Sequence, residues 1–85
     1  MFTVYILQSQ RTKQLYVGMT NNLRRRLAQH AAGNVQSTKP FRPYILLVHE
    51  EYATKTEARK REIQIKKSGR IRKELKQFVA SSSNG

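Results

Sequence analysis

Four residues spread along this chain have side chains that could together hydrolyse a phosphodiester: Tyr5, Tyr16, Arg26 and Glu62. A phenol can accept or relay a proton, a guanidinium can stabilise charge on a phosphate, and a carboxylate can bind a divalent metal ion. Each residue alone is weak evidence. Together they indicate a nuclease site, provided that the fold brings them to one place.

The net charge of the chain favours a polyanionic partner. Lys and Arg number 17 against 5 acidic residues, which gives a formal charge of +12 in 85 residues. Phosphate contacts made by such side chains supply most of the affinity of non-specific nucleic-acid binding. An anionic membrane would also attract this charge, but the sequence has no long apolar run, signal peptide or lipidation motif. The expected partner is therefore nucleic acid, with no membrane association.

The length and the cysteine content restrict the domain organisation and the compartment. At this length the chain has room for one domain, expected over residues 1–79, and the polar residues 80–85 are expected to form a disordered tail. The sequence contains no cysteine, which excludes disulfides and thiolate metal sites. This composition suits a cytoplasmic protein.

A β-hairpin is predicted at the start of the chain. Residues typical of strands cover Phe2–Leu7, and a polar stretch separates them from a second short apolar run. With Tyr5 opposite Tyr16, both rings would point to one face of the sheet, either as site residues or as packing residues. Gly18, at the end of the second strand, either lets another group approach the backbone or marks an ordinary turn.

The first helix is predicted over Leu23–Ala32, after the good cap residues Thr20, Asn21 and Asn22 and before Gly33. Arg26 and His30 interrupt its apolar face. An inward-facing guanidinium requires a partner, and a substrate phosphate would serve. Alternatively, Arg26 extends to water from the edge of this face and a backbone carbonyl satisfies His30. The face expected to be buried contains Leu23, Arg26, Leu27, His30 and Ala31.

A third strand is predicted over Tyr44–His49, and its continuous apolar run indicates a central strand. His49 is followed by Glu50 and Glu51, which suggests either a second metal cluster or a solvated strand end. We favour the strand end, because adjacent residues on a strand point to opposite faces.

Two further helices are predicted after this strand. One begins at the capping box of Thr54 and Glu57 and ends near Lys67, and the other covers Arg70–Val79 and packs through its apolar face. Cations on the predicted helices either are solvated or form a track for a nucleic-acid backbone. This set comprises Arg24, Arg25, Lys66, Lys67, Arg70, Arg72 and Lys73.

Glu62 is predicted to lie on the inward face of its helix, because it shares a stripe with Ala58 and Ile65. A carboxylate in that position requires a partner. The partner would be either a divalent cation or one of two basic neighbours on the helix, Arg59 and Lys66.

These segments together resemble the GIY-YIG endonuclease domain, in particular its small free-standing branch of predicted bacterial endonucleases. The resemblance covers residues 2–78, and four short motifs in the same order make it fairly specific. Thr3-Val4-Tyr5 stands where the family has Gly-Ile-Tyr, Tyr16-Val17-Gly18 stands for Tyr-Ile-Gly, Leu23–His30 matches the arginine helix, and Ala58–Lys66 matches an Ala-x-x-x-Glu-x-x-x-Lys helix.

The resemblance implies an α+β fold, in which a three-stranded antiparallel sheet is flanked by three helices in the order β-β-α-β-α-α. It also implies hydrolysis of DNA with one divalent ion per site, Mg²⁺ or Mn²⁺. Glu62 would then bind the metal and Arg26 would stabilise the scissile phosphate. Tyr5 and Tyr16 would orient or deprotonate the attacking water with help from His30.

The chain departs from the family pattern at several positions. Thr3 and Val4 replace Gly and Ile, Met19 stands where the DNA-repair incision members carry lysine, and Glu74 stands where some members have asparagine. Because Mg²⁺ normally retains several waters, one carboxylate alone makes a weak site. Bound DNA is therefore expected to complete it.

The resulting hypothesis is a metal-dependent DNA endonuclease or nickase with structure-directed or weak sequence specificity. Its substrate would be duplex or branched DNA, RNA is left open, and a partner protein would supply targeting. The alternative is a basic nucleic-acid-binding module with little or no activity on the same scaffold. The sequence does not specify which tyrosine acts as the base, the preferred DNA structure, the pathway or the oligomeric state.

Overall fold

The computed structural model describes residues 1–71 and 73–75. They form an α+β fold with a three-stranded antiparallel sheet and three helices, as predicted. The third helix is represented by helical residues 69–71 and 73–75. The other elements are β1 (Phe2–Ser9), β2 (Leu15–Thr20), α1 (Leu23–Ala32), a 3₁₀ helix (Lys39–Phe41), β3 (Tyr44–Tyr52) and α2 (Lys55–Lys67).

The sheet has the order β2-β1-β3, so β1 is the central strand. The prediction that β3 is central is wrong, and β3 also continues three residues beyond His49. The apolar run of β3 has another cause. Both faces of this edge strand present apolar side chains to other parts of the fold. Val48 packs against the hydrophobic core, whereas Leu46 lines a cavity on the other face.

The register of the hairpin differs from the predicted register by two residues. Tyr5 pairs with Gly18, and Tyr16 pairs with Leu7. Because side chains alternate with a period of two, this shift leaves both tyrosines on the same face. Their ring centroids are 6.3 Å apart. The prediction of one shared face is therefore confirmed, and the predicted direct pairing is wrong.

The sheet separates two structural layers. On one face, Val4, Ile6 and Val17 pack against Ala58 and Ile65 of α2 and form the main hydrophobic core. Alternation along the strands places the two tyrosines on the opposite face, where the imidazole of α1 contacts both rings. Chemical groups on α1 and on α2 therefore approach the sheet from different sides.

The caps of the helices agree with the sequence. The Asn22 side chain accepts the Arg25 N–H at 3.1 Å, and Gly33 ends α1 with a φ of 81°. Thr54 caps α2 by accepting the N–H of Glu57 at 3.2 Å.

The predicted interruption after α2 occurs at Ser68. The Ser68 hydroxyl accepts the N–H of Ile71 and so begins the third helix. The rest of the predicted Arg70–Val79 helix, with Arg72, and the expected tail at residues 80–85 lie outside the described residues. Among the residues that are described, no helix is long and apolar enough to cross a membrane.

Candidate active site

The phenol of Tyr5 occupies the space above Gly18. A Cβ atom at Gly18 would lie 2.5 Å from both Cζ and the hydroxyl oxygen of Tyr5. Only glycine leaves room for this ring without displacing it. Of the two interpretations of Gly18, close approach is the correct one, and the strand continues past this residue to Thr20.

The two tyrosines differ in their access to solvent. Tyr5 is 1% exposed, whereas Tyr16 is half-buried. A substrate that approaches this face would therefore meet Tyr16 first, with Tyr5 behind it.

A chain of hydrogen bonds leads inward from Tyr5. Its hydroxyl lies 2.9 Å from Nε2 of His30, and Nδ1 of His30 lies 2.8 Å from the Thr38 hydroxyl. Both His30 and Thr38 are buried, and Thr38 donates its proton to the carbonyl of Val35 at 3.3 Å.

We assign the tautomer of His30 from these contacts. With the hydroxyl proton of Thr38 directed at the carbonyl of Val35, the Thr38 oxygen accepts the N–H of Nδ1. Nε2 then carries the lone pair and accepts the O–H of Tyr5. The imidazole is thus held as a base pointing at the Tyr5 phenol. The prediction that a backbone carbonyl would satisfy His30 directly is wrong, since the carbonyl acts through Thr38.

The pKa shifts of Tyr5 and His30 keep both side chains neutral. Burial raises the pKa of Tyr5 above 10.0, although the nearby guanidinium of Arg26 opposes this shift. Burial, followed by the positive charge of Arg26, lowers the pKa of His30 below 6.5. At neutral pH Tyr5 therefore keeps its proton and Nε2 of His30 keeps its lone pair, and both pKa shifts oppose proton transfer between the two groups in the resting site.

Arg26 joins this cluster from α1. Its guanidinium interacts with the hydroxyl of Tyr5, which raises the pKa of Arg26, and it also interacts with Tyr16. Its Nη1 donates to Oε1 of Gln29 at 3.1 Å. Among the described residues, no carboxylate forms an ion pair with Arg26. A half-buried positive charge without an anionic partner is suited to a substrate phosphate.

Arg26 also faces a cavity of about 440 Å³. Two other cations, Arg25 and Lys55, line it together with the polar side chains of Thr20 and Asn21. The cavity lies where β2 ends and where α1 and α2 begin, and none of its described lining residues is acidic. These features suit a phosphate group.

Glu62 lies apart from the tyrosine cluster. It is 8% exposed and shares the inward face of α2 with Ala58 and Ile65, as predicted. Its Oε2 is 3.2 Å from Nζ of Lys66, and its Oε1 is 3.9 Å from the Arg59 guanidinium. The alternative of an ion pair within the helix is therefore present.

No hydrogen bond or ion pair within the described part of the chain joins Glu62 to Tyr5, Tyr16 or Arg26. Its chemistry nevertheless suits a divalent ion. The 3.9 Å contact of Oε1 is too long for a hydrogen bond. That hard oxygen can hold one hydrated Mg²⁺, whose remaining ligands would be waters and substrate.

Glu50, near the end of β3, forms an ion pair with Arg61, whereas Glu51 is exposed. Glu50 accepts from Nε of Arg61 at 2.9 Å and from the Tyr52 hydroxyl at 2.9 Å. The hydrogen bond from Arg61 lowers the pKa of Glu50. Within residues 1–71 and 73–75, no group of three or more His, Cys, Asp or Glu side chains could hold a metal ion.

The cations predicted to follow a nucleic-acid backbone have different surroundings. Lys66 is paired with Glu62, and Arg70 is paired with Glu74 at 3.1 Å. Arg72 lies outside the described residues. The others are exposed: Arg24, Arg25, Lys67 and Lys73.

Sequence reasoning missed Thr38 and Gln29. Thr38 lies in the polar loop after α1, where no periodic pattern distinguishes a buried hydroxyl from an exposed one. Gln29 had a usable signal, because it follows Arg26 by three residues and so lies beside it on the helix.

Comparisons with known proteins identify the class to which this fold and site belong. Residues 1–75 match the model of the GIY-YIG catalytic domain. The chain therefore belongs to the GIY-YIG family, a family of nuclease domains that act on nucleic acid.

The similar proteins belong to a small group within that family. The chain is 39% identical to the UPF0213 protein SH2523 of Staphylococcus haemolyticus over 71 residues, covering 82% of this chain and 85% of that protein. It is 40% identical over 72 residues to the UPF0213 protein NP_0776A of Natronomonas pharaonis, covering 84% of each. The solution NMR structure of the UPF0213 protein BH0048 from Bacillus halodurans is also similar, with a TM-score of 0.56 and 32% identity over 94% of this chain and 84% of that one.

Proposed function

We propose that this protein is a divalent-metal-dependent endonuclease that hydrolyses phosphodiester bonds in DNA. The observation that carries this proposal is the hydrogen-bonded chain from Tyr5 through His30 to Thr38, with Arg26 beside it and no carboxylate of the described residues paired with Arg26. The chain provides a proton acceptor, and Arg26 provides a site for phosphate charge.

The proton route follows from the burial of each group. Half-buried Tyr16 contacts the attacking water, and the hydroxyl of buried Tyr5 is hydrogen-bonded to His30. The two phenol rings lie side by side, with centroids 6.3 Å apart. As the water oxygen attacks phosphorus, its proton passes to the tyrosine pair, and the Tyr5 proton moves to Nε2 of His30. The P–O ester bond then breaks, and the leaving oxygen takes a proton from solvent. This route uses Nε2 as the base, so the tautomer set by Thr38 is required.

Arg26 stabilises the negative charge that accumulates on the phosphate in the transition state. It is held by a hydrogen bond to Gln29 and lies beside the two phenols, so it needs little rearrangement when the substrate binds. The cavity shared with Arg25 and Lys55 would receive the phosphate.

The proposed metal ligand is Glu62. A bound Mg²⁺ or Mn²⁺ ion would polarise a phosphate oxygen and supply activated water. The strand β2 lies at an edge of the sheet, so a phosphodiester crossing that edge could reach groups on both faces. The positive charges of Lys66 and Arg59 beside Glu62 weaken its hold on a free cation. The substrate phosphate is expected to complete the coordination.

Binding would be governed by charge more than by base sequence. The chain carries +12 in 85 residues, and exposed Arg24, Arg25, Lys67 and Lys73 can contact the phosphate backbone. We propose a single nuclease domain that works in the cytoplasm on duplex or branched DNA and receives its targeting from a partner protein.

A cleavage assay tests this function. Purified protein is incubated with supercoiled plasmid and with flap, fork and junction DNA, with Mg²⁺, with Mn²⁺ or with a chelator. We expect metal-dependent nicking that Arg26→Ala, Tyr5→Phe and Glu62→Ala each reduce by about 10²-fold or more, with DNA binding retained. Lys60→Ala, on the exposed face of α2, is the control and should cleave normally.

Two results would count against the proposal. Salt-dependent binding without cleavage of any substrate would leave a binding module on a nuclease scaffold. Full activity of Glu62→Ala would remove Glu62 as the metal ligand and leave its ion pair as its role.

A further inference from the structure

A large cavity of about 920 Å³ lies on the tyrosine face of the sheet, beyond His30. Its volume is within the range of about 300–1,000 Å³ that is typical of ligand pockets. Leu7, Leu27 and Leu46 form its apolar part, and Tyr44 adds an aromatic ring 6.5 Å from the imidazole. His30 therefore contacts both the proposed proton relay and this cavity.

The charged residues found around the cavity are positive. Arg11, Lys39 and Arg42 line it, and none of the lining residues that the structure describes is acidic. Backbone carbonyls hold the two guanidinium groups in place. Arg11 donates to Pro40 at 3.1 Å, and Arg42 donates to Lys39 at 3.1 Å and to Ala31 at 3.2 Å. These hydrogen bonds fix the position of the positive charges, but neutral carbonyls do not neutralise them. The site therefore suits an anionic ligand.

An apolar and aromatic interior below a cationic rim matches the chemistry of one nucleotide. The base would pack against Leu46 and Tyr44, and the flanking phosphates would contact Arg11 and Lys39. An apolar metabolite would not contact the cationic rim, and a free phosphate would not fill the apolar interior.

We infer that this cavity binds the base of an unpaired nucleotide next to the scissile phosphate. The inference rests on the proposed function, because His30 places the cavity directly beside the proposed reaction site. A base inside a duplex is stacked and paired, so it enters such a cavity only after it is released. DNA that contains an unpaired strand is therefore a better substrate than intact duplex.

The test measures binding in a chelator, so that no cleavage is required. Three fluorescein-labelled DNA ligands have equal length: a fork with a single-stranded thymidine arm, the same fork with abasic sites in that arm, and a blunt duplex. The abasic arm retains every phosphate, so its comparison with the thymidine arm isolates the base. We expect fluorescence anisotropy to show about tenfold tighter binding of the thymidine fork than of the other two ligands.

Protein variants locate the effect in the cavity. Leu46→Ala should lower the preference for the thymidine fork several-fold, whereas Ile63→Ala should leave it unchanged. Leu46 and Ile63 have nearly equal exposures, 38% and 40%, but Ile63 lies on α2. Arg11→Gln should weaken both forks by the same factor, with Lys60→Gln as the charge-matched control. Circular dichroism checks that each variant is folded.

Equal affinity for the thymidine and abasic forks would overturn the inference, and so would an unchanged preference in folded Leu46→Ala. The cleavage assay is independent of this result. Base-dependent binding without metal-dependent cleavage would refute the proposed hydrolysis and keep the cavity as a nucleotide site. Metal-dependent cleavage without a preference for the thymidine fork would support the proposed hydrolysis and refute the cavity as a nucleotide site.

Discussion

The phenol ring of Tyr5 packs directly against the backbone of Gly18, its partner across the β1–β2 ladder. This contact directs the Tyr5 hydroxyl away from the strand and towards His30 and Arg26. The glycine of one motif therefore positions the tyrosine of the other. The two segments act as one unit, although Leu15, where β2 begins, comes ten positions after Tyr5 in the sequence.

Gly18→Ala should damage both stability and activity. The new Cβ would lie 2.5 Å from Tyr5, so either the ring or the strand must move. We expect a loss of about 1–3 kcal/mol in the free energy of unfolding, measured by urea denaturation. Tyr5→Ala combined with Gly18→Ala should lose less than the sum of the two single variants, because the alanine at 18 then meets no ring. Strict additivity would show that the contact is not the cause.

The fold was largely predictable because its signals are local. Capping residues at Asn22 and Thr54 and the glycine at position 33 determine where the helices begin and end, and all three act within one helical turn. The predicted bounds of α1 are therefore those of the structure.

The strand order and the hairpin register were not predictable in the same way. The apolar run of β3 suggested a central position, but it reflects two covered faces on an edge strand. Likewise, because side chains alternate with a period of two, any even shift in register leaves Tyr5 and Tyr16 on one face. The alternation therefore does not specify which residues pair. Both features depend on contacts between distant segments, which local patterns do not encode.

The candidate site was predictable only in part for the same reason. Tyr5, Tyr16, Arg26 and His30 come together, and the type and spacing of all four mark them in the sequence. Thr38 comes from a loop eight residues after His30, and only the tertiary structure shows that the two meet. The position of Glu62 relative to this cluster depends equally on how α2 packs.

Arg26→Lys should separate catalysis from binding. Lysine keeps the charge, but it cannot contact both phenols and Gln29 at once as the planar guanidinium does. We expect cleavage under single-turnover conditions to fall about 10²–10³-fold with DNA affinity nearly unchanged. Arg24→Lys, on the exposed side of the same helix, is the matched control and should cleave at the normal rate. Equal losses in both variants would indicate a general effect of replacing arginine on this helix and not the loss of the contacts of Arg26.

The stability of the protein should fall as the solution is acidified below about pH 6.5. Burial and Arg26 lower the pKa of His30 from its ordinary value of 6.5, so the unfolded chain binds the proton more readily than the folded one. The stabilising contribution is complete above pH 6.5 and is lost as the pH falls through the lower folded pKa. Melting temperatures measured between pH 5 and pH 7.5 should show this slope.

His30→Gln provides the control for this pH dependence. Glutamine can still contact Thr38 and Tyr5 but does not titrate, so its melting temperature should vary less over the same range. The other histidine, His49, is exposed and is present in both proteins. An equal slope in the two proteins would mean that the pH dependence has another source.

Thr38→Val should change the tautomer of His30 and so slow the reaction. Valine has a similar shape, but it cannot accept the N–H of Nδ1, which becomes a buried donor without a partner. The proton then favours Nε2, where it blocks acceptance from Tyr5. We expect a loss of about 1–3 kcal/mol in stability and at least about a tenfold loss in cleavage, since proton transfer contributes about 10²–10⁴-fold. Thr38→Ser keeps the hydroxyl and should retain most of the activity.

Nitrogen-15 NMR of the imidazole distinguishes the tautomers directly: the protein should show a protonated Nδ1, and Thr38→Val a protonated Nε2. A protonated Nε2 in the unaltered protein would contradict the proposed proton route, because His30 could not then accept from Tyr5.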